Sequence, residues 1–336
     1  MQKTAFITGA TGLVGAKLVI DLYSKGYNIV VLKRKKTAVS KLTNALKFYT
    51  NNTNEVLNKI NIIEGDVLDL EILYDNILPE YDVYHCAAMV SFNPKFSNEL
   101  TETNVQGTAN LVNVCCEKKI RKFCHVSSIG ALGTPVNGGK TDIDSPWLPN
   151  TKSPYSISKH ESELEVWRGI AEGLNAVIVN PAVILGAGDW NSSSAAMFSR
   201  IANGMKYFTH GSTSYVDVAD VTDAMVKLME SEVCCQRFII SAENLQFKEV
   251  FDLIAKGLNV KPPYKKATPF LTSIAWRFEH IRIKLMGGEP KITKHTHKVA
   301  HSLSDYNGEP ICSVIDFKYT SIKESIKSIC QKYFSF

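Results

Sequence analysis

Several things are scarce in this sequence. None of its eight cysteines belongs to a Cys-x-x-Cys pair, and Cys86, Cys115, Cys116, Cys124, Cys234, Cys235, Cys312 and Cys330 mostly fall in apolar, strand-like or helix-like stretches. That removes the usual zinc and redox signatures and leaves buried free thiols, with no metal site expected. No apolar run approaches the ~20 residues that span a bilayer, and Met1-Gln2-Lys3 leads straight into a strand-like segment. No signal peptide is read there, and a cytoplasmic chain is the expectation. Net charge is only +5, too weak an imbalance to call for nucleic acid. No low-complexity tract interrupts a composition that is 45% hydrophobic, so 336 residues can bury the core of one large α/β domain or two smaller ones.

What is present is concentrated first in Thr8-Gly9-Ala10-Thr11-Gly12-Leu13-Val14-Gly15. The run Thr4-Ala5-Phe6-Ile7-Thr8 before it reads as a short buried strand, and the apolar periodicity of Leu13 to Tyr23 after it reads as a helix. A glycine-rich turn between strand and helix is a phosphate cradle. Gly9 permits the tight turn, Gly12 lets the backbone approach a pyrophosphate, and Gly15 lets the helix pack closely. The free N–H groups at the helix N-terminus, around Thr11, Leu13 and Val14, form the positive end of the helix dipole.

A second absence selects the cofactor. After the strand Asn28 to Leu32 come Lys33, Arg34, Lys35 and Lys36, with no carboxylate among them. An acidic residue here would hold the ribose 2′-hydroxyl of NAD, whereas cations accommodate the 2′-phosphate of NADP. Arg34 and Lys35 are therefore candidate cofactor contacts and NADP(H) is expected over NAD(H), the planar guanidinium of Arg34 being best suited to phosphate. The alternative is a solvated basic turn.

Further along, strands are read at Ile60 to Glu64, Tyr81 to His85, Lys122 to Val126 and Asn175 to Asn180, each separated by helical signals. Six alternations of strand and helix give a doubly wound parallel sheet of Rossmann type. Asp66 and Val67 follow the third strand and Ala87 and Ala88 the fourth, at the carboxyl ends where ligands bind in open α/β sheets. Tyr155 and Lys159 are four apart on a helical stretch, which sets both side chains on one face.

Taken together, Thr8-Gly9-x-x-Gly12-x-x-Gly15, Gly65-Asp66-Val67, His85-Cys86-Ala87-Ala88, Asn104 with Gly107-Thr108, Val126-Ser127-Ser128, Tyr155-x-x-x-Lys159 and Asn180-Pro181-Ala182-x-x-x-Gly186 resemble the extended short-chain dehydrogenases/reductases, in family order and spacing. The basic cluster at Arg34, the run His85 to Phe92 and Pro181-Ala182-Val183-Ile184-Leu185-Gly186 are most similar to the branch of dihydroflavonol-4-reductase-like and 3β-hydroxysteroid-dehydrogenase-like members. Sugar-nucleotide members usually read Val-Tyr-Gly after the catalytic serine, where this chain has Ala131-Leu132-Gly133.

The resemblance implies hydride transfer between a nicotinamide and a carbonyl or carbinol carbon. It assigns catalysis to Ser128, Tyr155 and Lys159, and adds Ser127, Asn104, Tyr155, Lys159, Pro181 and Val183 to the cofactor contacts. The residue types agree with that chemistry. A carbonyl that accepts hydride becomes an alkoxide and needs a proton donor, here Tyr155. A nearby ammonium, Lys159, would lower the phenol pKa, and Ser128 would hold the substrate oxygen. Adjacent residues of an extended segment face opposite ways, so Ser127 is read as the nicotinamide-side partner. Asn104 either sits in a proton relay or bonds neighbouring backbone, and His85 is read as a packed strand-end residue. The resemblance also implies a homodimer built from the helices that carry Asn104 and Tyr155.

Residues 1–186 are expected to form the NADP-binding domain, which also receives parts of 212–242, and residues 187–211 with 243–336 a smaller, mostly helical substrate-binding portion. Gly188 to Asn191 and Ser194 to Asn203 are read as the pocket roof, with Ser192 and Ser193 polar and Met197, Phe198, Met205, Tyr207 and Phe208 apolar. That mixture suits a ketone or aldehyde better than a sugar diphosphate, for which only Arg200 is at hand. The competing readings are an NAD-dependent epimerase, dehydratase or 3β-hydroxysteroid-type dehydrogenase, and a non-catalytic NADP-sensing protein, the latter disfavoured by the complete Ser-Tyr-Lys set. In 261–300, nine Lys or Arg stand against Glu279 and Glu289. Ile274, Phe278, Ile281 and Leu285 share a helical face, read as packed on the domain with a solvated basic side and no membrane contact expected.

Overall fold

The computed structural model describes residues 2–135, 138–192, 194–286, 290 and 292–335. Ser193 and Glu289 of the readings above lie outside the described residues. The strands in chain order are β1 Thr4–Thr8, β2 Asn28–Lys33, β3 Ile60–Glu64, β4 Asp82–His85, β5 Lys122–Val126, β6 Ala176–Pro181, β7 Val183–Leu185, β8 Tyr207–Phe208, β9 Ser212–Asp217, β10 Gln236–Ile240, β11 Glu243–Gln246 and β12 Lys265–Lys266. Seven of them form one parallel sheet in the order β10-β6-β5-β4-β1-β2-β3. The six strands read from the sequence all lie in it, and β10 joins at the edge beside β6.

Alternation along each strand explains why both faces are covered. Ala5, Ile7, Ile29, Val31, Val177 and Val179 enter one core with Leu18, Leu22 and Met225. Phe6, Val30, Val83, Phe123 and Ile178 enter a second core with Leu111 and Val166. Successive side chains point to opposite faces, so strands buried on both sides read as continuous apolar runs. A third core, with Leu185, Phe198, Tyr215, Ile254 and Ile326, holds the C-terminal helices against the small sheet β11-β9-β7.

Chain order reverses between β1 and β4, whose carboxyl ends lie side by side with Thr8 opposite His85. A crevice opens at such a reversal, and the glycine turn sits in it. The helix Leu13–Ser24 leaves from that turn with Gly12 as its N-cap and no side chain capping its first amides.

Three expectations need correcting. Of the thiols, only Cys115, Cys124 and Cys330 are buried, whereas Cys234, Cys235 and Cys312 are exposed: the first two lie in the connection between the helix Val218–Glu230 and β10, and Cys312 lies on the short helix Ile311–Val314, of which only Ile311 is buried. Phe198, read as pocket roof, is wholly buried in the third core, and Trp190 packs edge-on against Phe48 at 5.7 Å. The helix Pro269–Met286 buries only Ile283, while Ile274, Phe278, Ile281 and Leu285 face outward. Periodicity shows that a helix has an apolar face and does not say what covers it. No helix among the described residues is long and apolar enough to cross a membrane.

Candidate active site

Gly9 adopts φ +74°, and a Cβ there would lie 2.5 Å from the Ala87 nitrogen. The turn therefore requires glycine twice, once for its dihedral and once for the passage of the chain after β4. A Cβ on Gly15 would meet the Gly9 carbonyl oxygen at 2.4 Å, so this glycine closes the helix onto the turn itself. At Gly12 the nearest atom would be 3.3 Å away, which leaves its outer side open. An open glycine at an uncapped helix start is a cradle for a pyrophosphate. The residues fit a dinucleotide, with Thr11, Leu13 and Val14 partly exposed around it.

The floor of the crevice is a hydrogen-bonded column. His85 Nδ1 pairs with Thr8 Oγ1 at 2.8 Å and its Nε2 with Thr108 Oγ1 at 3.0 Å. Thr8 Oγ1 also accepts the Ala87 amide at 3.1 Å. Burial, with the Lys159 ammonium adding to it, holds the His85 pKa down at about 3, which suits a neutral packing residue. Asn104 lies in a π-helical turn, Thr101–Gln106, a distortion often found at functional sites. Its side chain accepts the Met89 amide at 2.7 Å and donates to the Met89 carbonyl at 3.0 Å and to Ser158 Oγ at 2.9 Å. Asn104 thus pins the segment after Ala88 to the helix Pro154–Ala171.

That helix starts at the N-cap Ser153, whose hydroxyl accepts the Ser156 amide at 3.1 Å. It brings Tyr155 over the end of β5, where its side chain meets that of Ser128, whose hydroxyl accepts the Gly130 amide at 3.0 Å. Burial raises the Tyr155 pKa above the usual phenol value, against the lowering expected from Lys159, and the Ser128 side chain pulls it back only in part. Lys159 is buried and donates to the Val126 carbonyl at 2.9 Å. Its pKa falls to about 8 because burial disfavours the ammonium, opposed by the nearby Glu163 carboxylate.

The two serines part company here. Ser128 faces Tyr155, whereas Ser127 is buried and donates to Glu163 Oε2 at 2.8 Å. Its hydroxyl, read as a cofactor contact, is committed below the site. Glu163 also accepts from Asn180 at 2.9 Å and from Arg237 on β10 at 2.8 Å. Tyr155, Lys159 and Glu163 follow at four-residue steps, so the sequence did carry a signal for this carboxylate.

At the rim, Lys33 is buried, its ammonium bonded to the Thr37 carbonyl and to Glu64 at 2.8 Å each. It shapes the basic turn and is withdrawn from any ligand, while Arg34 and Lys35 are exposed beside the end of β2. Asp66 accepts the Leu68 amide at 3.1 Å, and Val67 is buried against Gly107. Pro181 is buried at the end of β6, Val183 is partly buried on β7, and Ala88 is exposed beyond β4.

Beside Tyr155 lies a cavity of about 310 Å³ lined by Phe92, Thr209, Phe247, Phe251, His295, Thr296, Val299 and Ala300. Phe92 divides the two, edge-on to Tyr155 at 5.6 Å and stacked on His295 at 5.4 Å. The lining is almost wholly apolar and carries no arginine, lysine or carboxylate. Sequence reasoning missed it because Phe92, Phe247 and His295 meet only through the fold. Among the described residues no group of three or more His, Cys, Asp or Glu is placed to hold a metal ion.

This geometry can be set beside known proteins. The model of the NAD dependent epimerase/dehydratase family matches residues 5–239. The chain belongs to that family. It is 28% identical over 251 residues to sterol demethylase protein B of Methylococcus capsulatus, covering 74% of this chain and 72% of that one. It is 26% identical over 266 residues to cinnamoyl-CoA reductase 2 of Medicago truncatula, covering 76% of each. Among solved structures, that of gox2253 superposes with a TM-score of 0.82 at 22% identity, over 99% of this chain and 98% of the other. Family membership makes this a nicotinamide-dinucleotide fold of the oxidoreductase and epimerase type.

Proposed function

We propose that this member of the family is an NADP(H)-dependent reductase that converts an apolar ketone or aldehyde to an alcohol. The observation that carries the reading is the Ser128–Tyr155 hydroxyl pair standing beside an uncharged aromatic cavity, with Phe92 shared between them. A nucleoside diphosphate sugar would need cations in that wall; a flat, ring-bearing carbonyl compound needs the aromatic faces that are there. The similarity to a cinnamoyl-CoA reductase supports net reduction.

In this reading Gly9, Gly12 and the first amides of Leu13–Ser24 hold the pyrophosphate, and Arg34 and Lys35 the 2′-phosphate. Asp66 and Val67 border the adenine, and Ala87, Ala88, Pro181 and Val183 the nicotinamide side. The bound cofactor supplies the hydride. Ser128 and Tyr155 both reach the substrate oxygen; Ser128 fixes it, and Tyr155 gives up its proton as the oxygen gains charge. With its pKa at about 8, Lys159 is charged at neutral pH and stabilises the phenolate left behind. Asn104 acts by position, holding the Met89 turn against the catalytic helix.

NADPH oxidation in the presence of apolar aryl ketones and aldehydes tests the proposal. Removing only the hydroxyl, Tyr155→Phe, should lower kcat by about 10²–10⁴-fold with NADPH binding unchanged. Full activity in that variant would refute the assignment.

A further inference from the structure

The helix Pro269–Met286 inverts the usual arrangement. Phe270 is 76% exposed, Phe278 71% and Leu285 80%, and Leu271, Ile274 and Ile281 are exposed with them. At 3.6 residues per turn these six fall within about 100° of arc, so they make one continuous apolar stripe along the helix. Its edges are basic. On the same projection Arg277 and Lys284 border one side and Arg282 the other, Arg282 being paired with Glu279 at 2.8 Å. From 261 to 286 the chain has six cations, Lys261, Lys265, Lys266, Arg277, Arg282 and Lys284, against Glu279 alone. Opposite the stripe, Ile283 is buried, and Thr272 Oγ1 meets His297 Nδ1 and His301 Nε2 at 2.8 Å each. The helix is therefore held by its polar side.

We propose that this helix docks the protein on an anionic lipid surface, the apolar stripe entering the headgroup–acyl boundary and the basic edges meeting lipid phosphates. An outward apolar stripe between cationic rims is the pattern of an interfacial helix, and charge complementarity selects an anionic bilayer over a neutral one. A soluble partner helix would want the stripe and leave the rims without counter-charge. The position adds a consequence. The helix Lys294–Val299, which His297 ties to the docking helix, also supplies His295, Thr296 and Val299 to the cavity beside Tyr155. Docking would place that cavity next to a reservoir of membrane-dissolved carbonyl compounds. The docking itself needs neither cofactor nor substrate, so its failure and the failure of the reductase reading can be told apart.

The test is co-sedimentation of the full chain with vesicles of phosphatidylcholine mixed with phosphatidylglycerol, against vesicles of phosphatidylcholine alone. The protein should pellet with the mixed vesicles at low salt and be released at high salt. The pair Phe278→Ser and Leu285→Ser should abolish pelleting, and Arg277→Glu or Lys284→Glu should weaken it by at least about fivefold each. Because all four side chains are exposed, the variants should keep the parent's thermal midpoint and NADPH affinity; should any fail to fold, the salt release of the parent protein still decides. Protein left in the supernatant with mixed vesicles overturns the proposal. So does equal pelleting with phosphatidylcholine alone. A dimer in light scattering that the two serine substitutions dissolve, without vesicle binding, overturns it in favour of a second copy of this chain on the stripe.

Discussion

Two regions of this molecule break the rule of apolar inside and polar outside, and they break it in opposite directions. Under the glycine turn and the helix Pro154–Ala171, polar groups are buried: His85 between Thr8 and Thr108, Asn104 between Met89 and Ser158, and Glu163 among Ser127, Asn180 and Arg237. On Pro269–Met286, apolar groups are exposed. Burying a polar group is costly unless it is bonded, and here the bonds fix the positions of Ser128, Tyr155 and the Ala87–Met89 turn. Each Phe, Leu or Ile left in water forgoes roughly 1.5–3 kcal/mol of burial, which points to a surface that covers them in use. The first departure builds geometry; the second builds an interface.

At neutral pH the largest effect that would break this contrast is at Glu163. Its carboxylate is buried and paired with Arg237, itself largely covered. Arg237→Met would remove the paired cation and leave the charge bonded to Ser127 and Asn180, with the Lys159 ammonium nearby, at a cost of about 3 kcal/mol, measured as a loss in the free energy of denaturant unfolding. A change below about 0.5 kcal/mol would mean that the network does not hold the helix to β10.

Acid stability offers a finer test. The His85 pKa is depressed from 6.5 to about 3, and that of His125 is held well below 6.5, in both cases mainly by burial. The unfolded chain takes up these protons below pH 6.5 while the folded chain does not. Stability is therefore fully present above pH 6.5 and falls as the pH drops towards 3, by about 1.4 kcal/mol per pH unit for each histidine. Unfolding curves of His85→Gln across that window should lose one histidine's share of the slope; an unchanged slope would show that His85 titrates freely. The smallest change is expected on the outward stripe, where the serine substitutions used with vesicles should leave unfolding within about 0.5 kcal/mol of the parent.

How much of this was legible in the sequence depended on the range of the signal. The strands were legible because β-branched runs such as Asn28 to Leu32 follow turn signals such as Lys25-Gly26, and the cradle because Gly9, Gly12 and Gly15 are local to one turn. Tyr155 and Lys159 were legible as a spacing. That Ser127 and Ser128 face opposite ways was legible too, but the partner of Ser127 was not, because Glu163 arrives on the helix Pro154–Ala171, far along the chain. Lys33 reads like Arg34 until Glu64 arrives from β3 to take it. The cavity joins residue 92 to residues 209, 247 and 295, and no local pattern announces such a meeting. The helix Pro269–Met286 was legible as amphipathic, and its orientation was not, since two faces can be told apart in a sequence without knowing which one is covered.

The central claim is that the basic rim at Arg34 and Lys35 commits this member of the family to NADPH and hence to net reduction. Fluorescence titration with NADPH and NADH side by side tests it without knowledge of the substrate. The account predicts clear preference for NADPH, lost in Arg34→Glu. Tighter binding of NADH, or NAD that remains bound through purification, would contradict it and would favour the cofactor-recycling chemistry of an epimerase or dehydratase.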